Sequence, residues 1–159
     1  MIFRLFLLLL VTSAACAEPI YRENIVVNDG DTIEVVTKEP GVPNIRYRLN
    51  GFDTPESGSS RRFVSADEFA VAKLATERLI ELIESGPIDL EEVRCSCSEG
   101  THGTKSCNHG RKCGILRVDG KDVGETLIAE ELAVPYVCSE TKCPRMPNWQ
   151  KILDSRHKR

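Results

Sequence analysis

The sequence predicts an α+β fold that is mainly β, and the order of its elements is the main reason. Three strand-like segments come first, a long amphipathic segment follows, and two further strands precede a second helical pattern. Five strands with a helix between the third and the fourth are the plan of a partly open Greek-key barrel, the OB-fold. A length of 159 residues suits one domain with a substantial core. We therefore expect a single five-stranded OB-fold barrel with two to three helices.

The first three strands are marked by β-branched residues and by the turns between them. Ile25–Val27 and Thr32–Val36 are rich in valine and isoleucine, and the Asp29-Gly30 turn between them is typical of a tight hairpin. In Ile45–Leu49 apolar residues alternate with arginines, which indicates a half-buried third strand. Arg48 is therefore expected on the face opposite to its apolar neighbours.

The first helix is indicated by its caps and by its apolar spacing. It is expected to begin at Ser65, because Glu68 three residues later completes a capping box, and to end at Gly86-Pro87. Its apolar stripe recurs at helical spacing and consists of Phe69, Ala72, Ala75, Leu79, Leu82 and Ile83.

The second half of the chain continues with strand and helix signals. Ile88–Val93 and Gly114–Val118 have the composition of strands four and five. Asp122 with Glu125 is expected to cap a second helix, whose apolar residues are Val123, Leu127, Ile128 and Leu132. A short third helix is expected around Trp149, Ile152 and Leu153.

Residues 1–17 have the pattern of a secretory signal peptide. Arg4 precedes the apolar run Leu5–Val11, and small residues end in Ala15-Cys16-Ala17. The apolar run is too short to span a bilayer, so no membrane span is expected. We expect cleavage after Ala17 and a secreted or periplasmic protein, with residues 18–159 forming the domain. Lipidation of Cys16 is the second interpretation, but the residues before it lack the leucine expected a few positions upstream.

The charge balance excludes a generally basic nucleic-acid binder. The formal net charge is −3, and removal of the leader with its one charged residue, Arg4, makes it −4. A mildly acidic chain gives no non-specific attraction to nucleic acid. If the partner is a polyanion, the attraction must be local.

The block from Arg48 to Glu56 concentrates charge on a stiff turn. A guanidinium stands at the end of a strand, and the carboxylates of Asp53 and Glu56 follow it. Gly51 lets the backbone bend, and Pro55 pushes the residue before it into an extended conformation. This combination indicates a chemical site. The alternative is a salt bridge on a solvated turn, which contributes little.

Three motifs together resemble a known family. They are the hairpin Asp29-Gly30-Asp31-Thr32, the block from Arg48 to Glu56, and Gly110-Arg111 eight residues before Asp119-Gly120. In this order they resemble the staphylococcal nuclease (thermonuclease) family, over roughly Ile25 to Tyr136. The chain departs from the family at Asn108 and His109, where the family often has a basic residue and a tyrosine. Its acidic charge also predicts weaker or more salt-sensitive substrate capture than in the basic relatives.

The resemblance implies a calcium-dependent, sugar-non-specific nuclease on an OB-fold. It implies that Asp31 and Asp53 bind calcium through carboxylates and Thr54 through its backbone carbonyl. Calcium is a hard cation that prefers oxygen ligands and leaves room for water, so such a ligand set suits it.

The resemblance also implies the catalytic residues. Arg48 and Arg111 would grip the scissile phosphate, Glu56 would be the general base, and the products would carry a 3′-phosphate. Arginine forks pair well with phosphate oxygens, and a glutamate near the attacking water is a suitable base. The substrate would be DNA, RNA or both. No stable protein partner is implied, and we expect a monomer.

The cysteine-rich loop 94–113 enlarges the connection between strands four and five. Six cysteines remain after cleavage, an even number that favours disulfides in an exported protein. Cys138 and Cys143 are near enough to close a small loop, whereas the other pairing is not derivable. The alternative is a zinc site formed by Cys95, Cys97, Cys107 and Cys113, with His102 or His109 as an alternative ligand. The spacing of these cysteines matches no standard zinc ribbon well.

Two other functions remain as alternatives. The first is a catalytically silent OB module that binds nucleic acid, although inactive copies tend to lose some of the site residues that are all present here. The second is a zinc-stabilised interaction protein in which the charged residues are ordinary surface. Metal content together with nuclease activity distinguishes the three.

Overall fold

Eight strands and three α-helices form the part of the chain that the computed structural model describes, residues 20–58 and 63–156. The strands β1 to β8 span Ile25–Asp29, Thr32–Val35, Ile45–Leu49, Gly51–Asp53, Ile88–Val93, Lys112–Val118, Lys121–Asp122 and Val134–Tyr136. The helices α1 to α3 span Ala66–Glu84, Val123–Ala129 and Trp149–Arg156. The expected signal peptide, with Cys16, lies outside the described residues. No helix within the described ranges is long and apolar enough to cross a membrane.

The main sheet confirms the α+β, OB-like fold. Its strand order is β1-β2-β3-β6-β5, with β7 paired to β6, and the sheet curls into a half-barrel. Neighbouring strands are antiparallel except for β3 and β6, which are parallel. A separate small sheet pairs β4 with β8. The five predicted strands correspond to β1, β2, β3, β5 and β6.

The strands β4, β7 and β8 were not predicted. Each has only two or three residues, too few to show an alternating pattern. They matter for the site nonetheless, because β4 ends at Asp53 and is held in place by β8.

Helix α1 begins as predicted, but one residue of its apolar stripe is wrong. The hydroxyl of the N-cap Ser65 accepts a hydrogen bond from the Glu68 backbone N–H at 3.1 Å. Phe69 is 49% exposed, and the neighbouring Glu68 is buried in its place. The buried face contains Ala72, Ala75, Leu79 and Ile83, and Phe69 falls about 100° away from Glu68 around the helix axis. Ala72 and Leu79, which lie four and eleven residues after Glu68, share its face.

Helix α2 is shorter than its apolar pattern indicates. The carboxylate of Asp122 caps it by accepting the backbone N–H groups of Gly124 and Glu125, as predicted. The helix ends at Ala129, so Leu132 lies beyond it. Leu132 still packs against the hydrophobic core, which explains why its spacing resembled that of a helical residue.

Strand register brings the charged motifs to one end of the sheet. Thr32 of β2 pairs with Arg48 of β3, and Arg48 pairs with Cys113 of β6. These three residues form one row across adjacent strands. The hairpin that carries Asp31 and the segment that carries Arg111 therefore flank Arg48 on its two sides.

Three disulfides connect the six cysteines of the described chain. The pairs are Cys95–Cys113, Cys97–Cys107 and Cys138–Cys143. The last is the small loop expected from the sequence, and the first two cross-link the cysteine-rich loop. With all four loop cysteines paired in this way, none of them offers a thiolate to zinc.

Candidate active site

Arg48 is the centre of the site and joins two carboxylates. Its Nη1 lies 3.0 Å from Asp31 Oδ2, and its Nη2 lies 2.9 Å from Asp53 Oδ1. The side chains of Arg48, Asp31 and Asp53 are 14%, 11% and 2% exposed. Nη1 also donates to the backbone carbonyl of Leu49. Arg48 therefore does form salt bridges, but they are buried and not on a solvated turn.

Asp31 connects the β1–β2 hairpin to the turn after β4 through hydrogen bonds. Its Oδ2 accepts hydrogen bonds from the backbone N–H of Thr54 at 3.1 Å and from the Thr54 hydroxyl at 3.2 Å. Its Oδ1 accepts the hydroxyl of Thr32 at 3.2 Å. The hairpin approaches so closely that a Cβ on Gly30 would lie 2.8 Å from the Thr54 methyl group and 2.9 Å from Ala75. Glycine is therefore required at position 30.

Burial makes the negative charge of Asp31 costly. It raises the pKa of Asp31 to about 7, although the neighbouring Arg48 guanidinium and the Thr54 N–H act in the opposite direction. The nearby carboxylates of Asp29 and Asp53 raise this pKa further. A site that concentrates carboxylates in this way gains free energy when it holds a cation.

Arg111 reaches the same site from the start of β6. Its Nη1 donates to the Thr32 hydroxyl at 3.3 Å. Its Nε donates to the backbone carbonyl of Asn108 at 3.2 Å, and its Nη2 to the Asn108 side-chain carbonyl at 3.0 Å. Burial lowers the pKa of Arg111, and the positive charge of Arg48 lowers it further. The guanidinium is thus held in one orientation close to the other arginine.

Asn108 is a site residue whose role the sequence did not indicate. It has a left-handed backbone (φ 49°), as does His109 (φ 58°), and it lies between Cys107 and Cys113 of the two loop disulfides. Its side-chain nitrogen also approaches the Cys113 sulfur at 3.4 Å. Its tolerance of a left-handed conformation is the one local signal that could have drawn attention to it.

Glu56 is the remaining charged residue among those predicted for the site. It is half-buried, and its negative charge raises the pKa of Arg111, which places the two in electrostatic contact. One cleft of about 340 Å³ is lined by five of the six predicted residues, namely Asp31, Arg48, Asp53, Glu56 and Arg111. Thr54, the sixth, lies behind them and is bonded to Asp31. Cys95, Cys97, Cys113, Cys138 and Cys143 also line the cleft, so residues of all three disulfides shape its walls.

Trp149 is a second residue that the sequence did not assign to the site. Its indole N–H donates to Asp53 Oδ2 at 2.8 Å, and the residue is 2% exposed. The two positions are 96 residues apart. No local pattern can indicate a contact over that separation.

The oxygen atoms of this site suit a hard cation. The described residues contain no group of three or more His, Cys, Asp or Glu side chains arranged to hold a metal. The carboxylates of Asp31 and Asp53 nevertheless lie close to one another, because both contact Arg48, and Thr54 is hydrogen-bonded to Asp31. Calcium accepts such a set when water or substrate supplies its remaining ligands.

Two curated proteins of Bacillus subtilis (strain 168) are similar to this chain. SPbeta prophage-derived endonuclease YokF is 37% identical over 110 residues, and endonuclease YncB is 36% identical over 110 residues. Each comparison covers 69% of this chain, which spans only 32% of YokF and 45% of YncB. No protein-family model matches the chain. The chain is thus similar, over about two thirds of its length, to parts of two longer proteins named as endonucleases.

Proposed function

We propose that the protein is a calcium-dependent nuclease of the staphylococcal nuclease type, which hydrolyses phosphodiester bonds in DNA, RNA or both. The observation that carries this proposal is the buried pairing of Arg48 with Asp31 and Asp53 in a cleft that also contains Glu56 and Arg111. The similarity to two proteins named as endonucleases supports it.

The two arginines supply donors for a phosphate. A guanidinium has five N–H donors. Within the described chain Arg48 contacts three acceptors, on Asp31, Leu49 and Asp53, and Arg111 contacts three, on Thr32 and Asn108. About two N–H donors of each arginine are thus available to phosphate oxygens. They would stabilise the negative charge that grows on these oxygens as water attacks phosphorus.

Glu56 is the proposed general base. Its carboxylate lines the same cleft as both arginines and is in electrostatic contact with Arg111. It would take a proton from the attacking water as the new bond to phosphorus forms, while the bond from phosphorus to the leaving oxygen breaks and that oxygen takes up a proton from solvent. Asp31 is less suited to this role, because its side chain is only 11% exposed and it is a proposed calcium ligand.

Asp31, Asp53 and the Thr54 carbonyl are the proposed calcium ligands. When bound, calcium would supply positive charge to polarise the phosphate. The chain itself contributes the orientation of these ligands, because Arg48 and the Thr54 N–H fix the carboxylates before any cation arrives. We also propose that the protein is exported, since three disulfides suit an oxidising compartment.

The first prediction is that cleavage requires calcium. Purified protein incubated with denatured DNA or with RNA is expected to cut in millimolar calcium and to lose activity in excess chelator, because the protein supplies few ligands of its own. Gel analysis of the products at several calcium concentrations measures this. Undiminished cleavage in chelator would contradict the calcium assignment. Binding of either nucleic acid without cleavage under any of these conditions would favour the silent module.

The second prediction concerns the pH dependence of stability in the absence of calcium. The folded-state pKa of Asp31 is raised to about 7 from its ordinary value of 3.8. The unfolded chain loses this proton near pH 4, whereas the folded chain keeps it until about pH 7. Asp31 therefore contributes a stability that is full below about pH 4 and is lost as the pH rises to about 7.

Thermal melts in chelator from pH 4 to pH 8 test this, with Asp31→Asn as the non-titrating control. The melting temperature of the wild type is expected to fall relative to that of Asp31→Asn over this range. Calcium at pH 8 is expected to restore part of the difference in the wild type alone. A difference between the two proteins that stays constant with pH would show that folding does not raise the pKa of Asp31.

A further inference from the structure

Trp149 and Arg48 contact different oxygens of the Asp53 carboxylate. The indole N–H donates to Oδ2, while Arg48 Nη2 donates to Oδ1. Both oxygens of a nearly inaccessible carboxylate are thus engaged by donors from different parts of the chain. Two such contacts fix the plane of the carboxylate and the direction of its remaining lone pairs.

The indole is chemically suited to orienting a metal ligand. It is a neutral donor and donates only, so it adds no positive charge that would compete with a cation. Outer partners of this kind orient the ligands of metal sites and raise the affinity of those sites for the metal. A lysine or arginine at the same place would add a second positive charge to the one that Arg48 already brings to this carboxylate.

Helix α3 is what places Trp149 there. Trp149 is the first residue of α3, and Leu153 one turn later is also buried. The Arg156 guanidinium lies 5.9 Å from the centre of the Trp149 ring, and its Nη1 donates to the Glu131 carbonyl. The first turn of α3 therefore carries the indole to Asp53.

We propose that Trp149 is a positioning residue for the calcium-binding carboxylate of Asp53. This inference rests on the calcium site of the proposed function. It adds a residue near the end of the described chain to a site that otherwise comes from the hairpin, β3, β4 and the start of β6.

The test compares Trp149→Phe with Leu153→Ala in the full-length protein. Trp149→Phe keeps an aromatic ring and removes the N–H donor, whereas Leu153→Ala weakens the docking of α3 and keeps the donor. Calorimetric titration with calcium chloride, well below the melting temperature of each variant, gives the Kd. We expect Trp149→Phe to weaken calcium binding about tenfold, the lower end of the range for outer-shell partners. Leu153→Ala should stay within about twofold of the wild type while its melting temperature falls.

The wild-type protein offers a second measurement that needs no variant. Trp149 is the one tryptophan in the sequence, so its fluorescence reports on the surroundings of Asp53. Its emission is expected to change on titration with calcium, with a midpoint equal to the calorimetric Kd. The calcium concentration for half-maximal cleavage should also rise about tenfold in Trp149→Phe, with little change in turnover at saturating calcium.

The outcomes separate this inference from the proposed function. A calcium affinity of Trp149→Phe within twofold of the wild type, equal weakening by Leu153→Ala, or binding with unchanged tryptophan emission would each overturn the role of Trp149 alone. A wild-type protein that binds no calcium would overturn both the calcium site and the positioning role.

Discussion

Arg111→Lys is expected to lower turnover at least about a hundredfold while most of the stability remains. Lysine keeps the positive charge but loses the planar fork of donors, and loss of one transition-state donor costs about this much. The substitution removes three half-buried hydrogen bonds to Asn108 and Thr32, each typically worth about 1 kcal/mol. Single-turnover cleavage of a short DNA at saturating enzyme, beside thermal melts, measures the two effects separately.

Arg48→Lys is expected to lower turnover by a similar factor and to lower stability more. An arginine in a salt bridge on a solvated turn, the alternative interpretation of this block, would lose little stability on this substitution. The structure instead shows Arg48 joining two buried carboxylates, and a single ammonium cannot reproduce both contacts. Removing one partner of a buried ion pair typically costs about 3–5 kcal/mol, and a lysine that keeps one contact should cost less.

Arg46→Lys is the matched control for both variants. Arg46 lies on the same strand as Arg48, two residues earlier, and pairs with Glu34 in an exposed salt bridge. Its substitution is expected to change neither turnover nor the melting temperature. If Arg48→Lys and Arg111→Lys cut as fast as this control, or lose activity only in proportion to the loss of folded protein, the assigned site is wrong.

The fold could be predicted where local chemistry decides the backbone. The strands β1, β2, β3, β5 and β6 carry β-branched or alternating residues, and the first two helices carry cap residues that the structure uses. The strands β4, β7 and β8 could not be predicted, since each has only two or three residues, and β4 and β8 form by pairing with each other from distant parts of the chain. Phe69 and Glu68 show the same limit in a helix, because the helix period alone does not fix which edge of the apolar stripe faces the core.

The candidate site also contains residues that the sequence predicts and residues that it does not. Its charged residues could be proposed because they occur in motifs, and the strand register then brings Thr32, Arg48 and Cys113 into one row. Asn108 and Trp149 could not be proposed, although they orient Arg111 and Asp53. Groups that do chemistry are confined to a few residue types, whereas almost any side chain with a suitable donor or acceptor can orient them. These supporting contacts can therefore be identified only from a structure.

Glu56→Gln is expected to reduce turnover by about a hundredfold or more, the usual contribution of a general base. Glutamine keeps the shape of the side chain and removes the atom that accepts the proton. Calcium affinity should change less than in Asp31→Asn, because Glu56 is outside the proposed ligand set. The same single-turnover assay and a calcium titration of both variants measure this.

The response to calcium gives the stronger test of this role. The turnover of Glu56→Gln is expected to stay low at saturating calcium, because the cation does not replace the proton acceptor. Asp31→Asn should show the opposite combination, with weakened calcium binding and a turnover that recovers as calcium approaches saturation. If Glu56→Gln loses calcium affinity as severely as Asp31→Asn, or keeps normal turnover, then Glu56 is not the base. A metal-binding role for Glu56 in the cleft would then replace it.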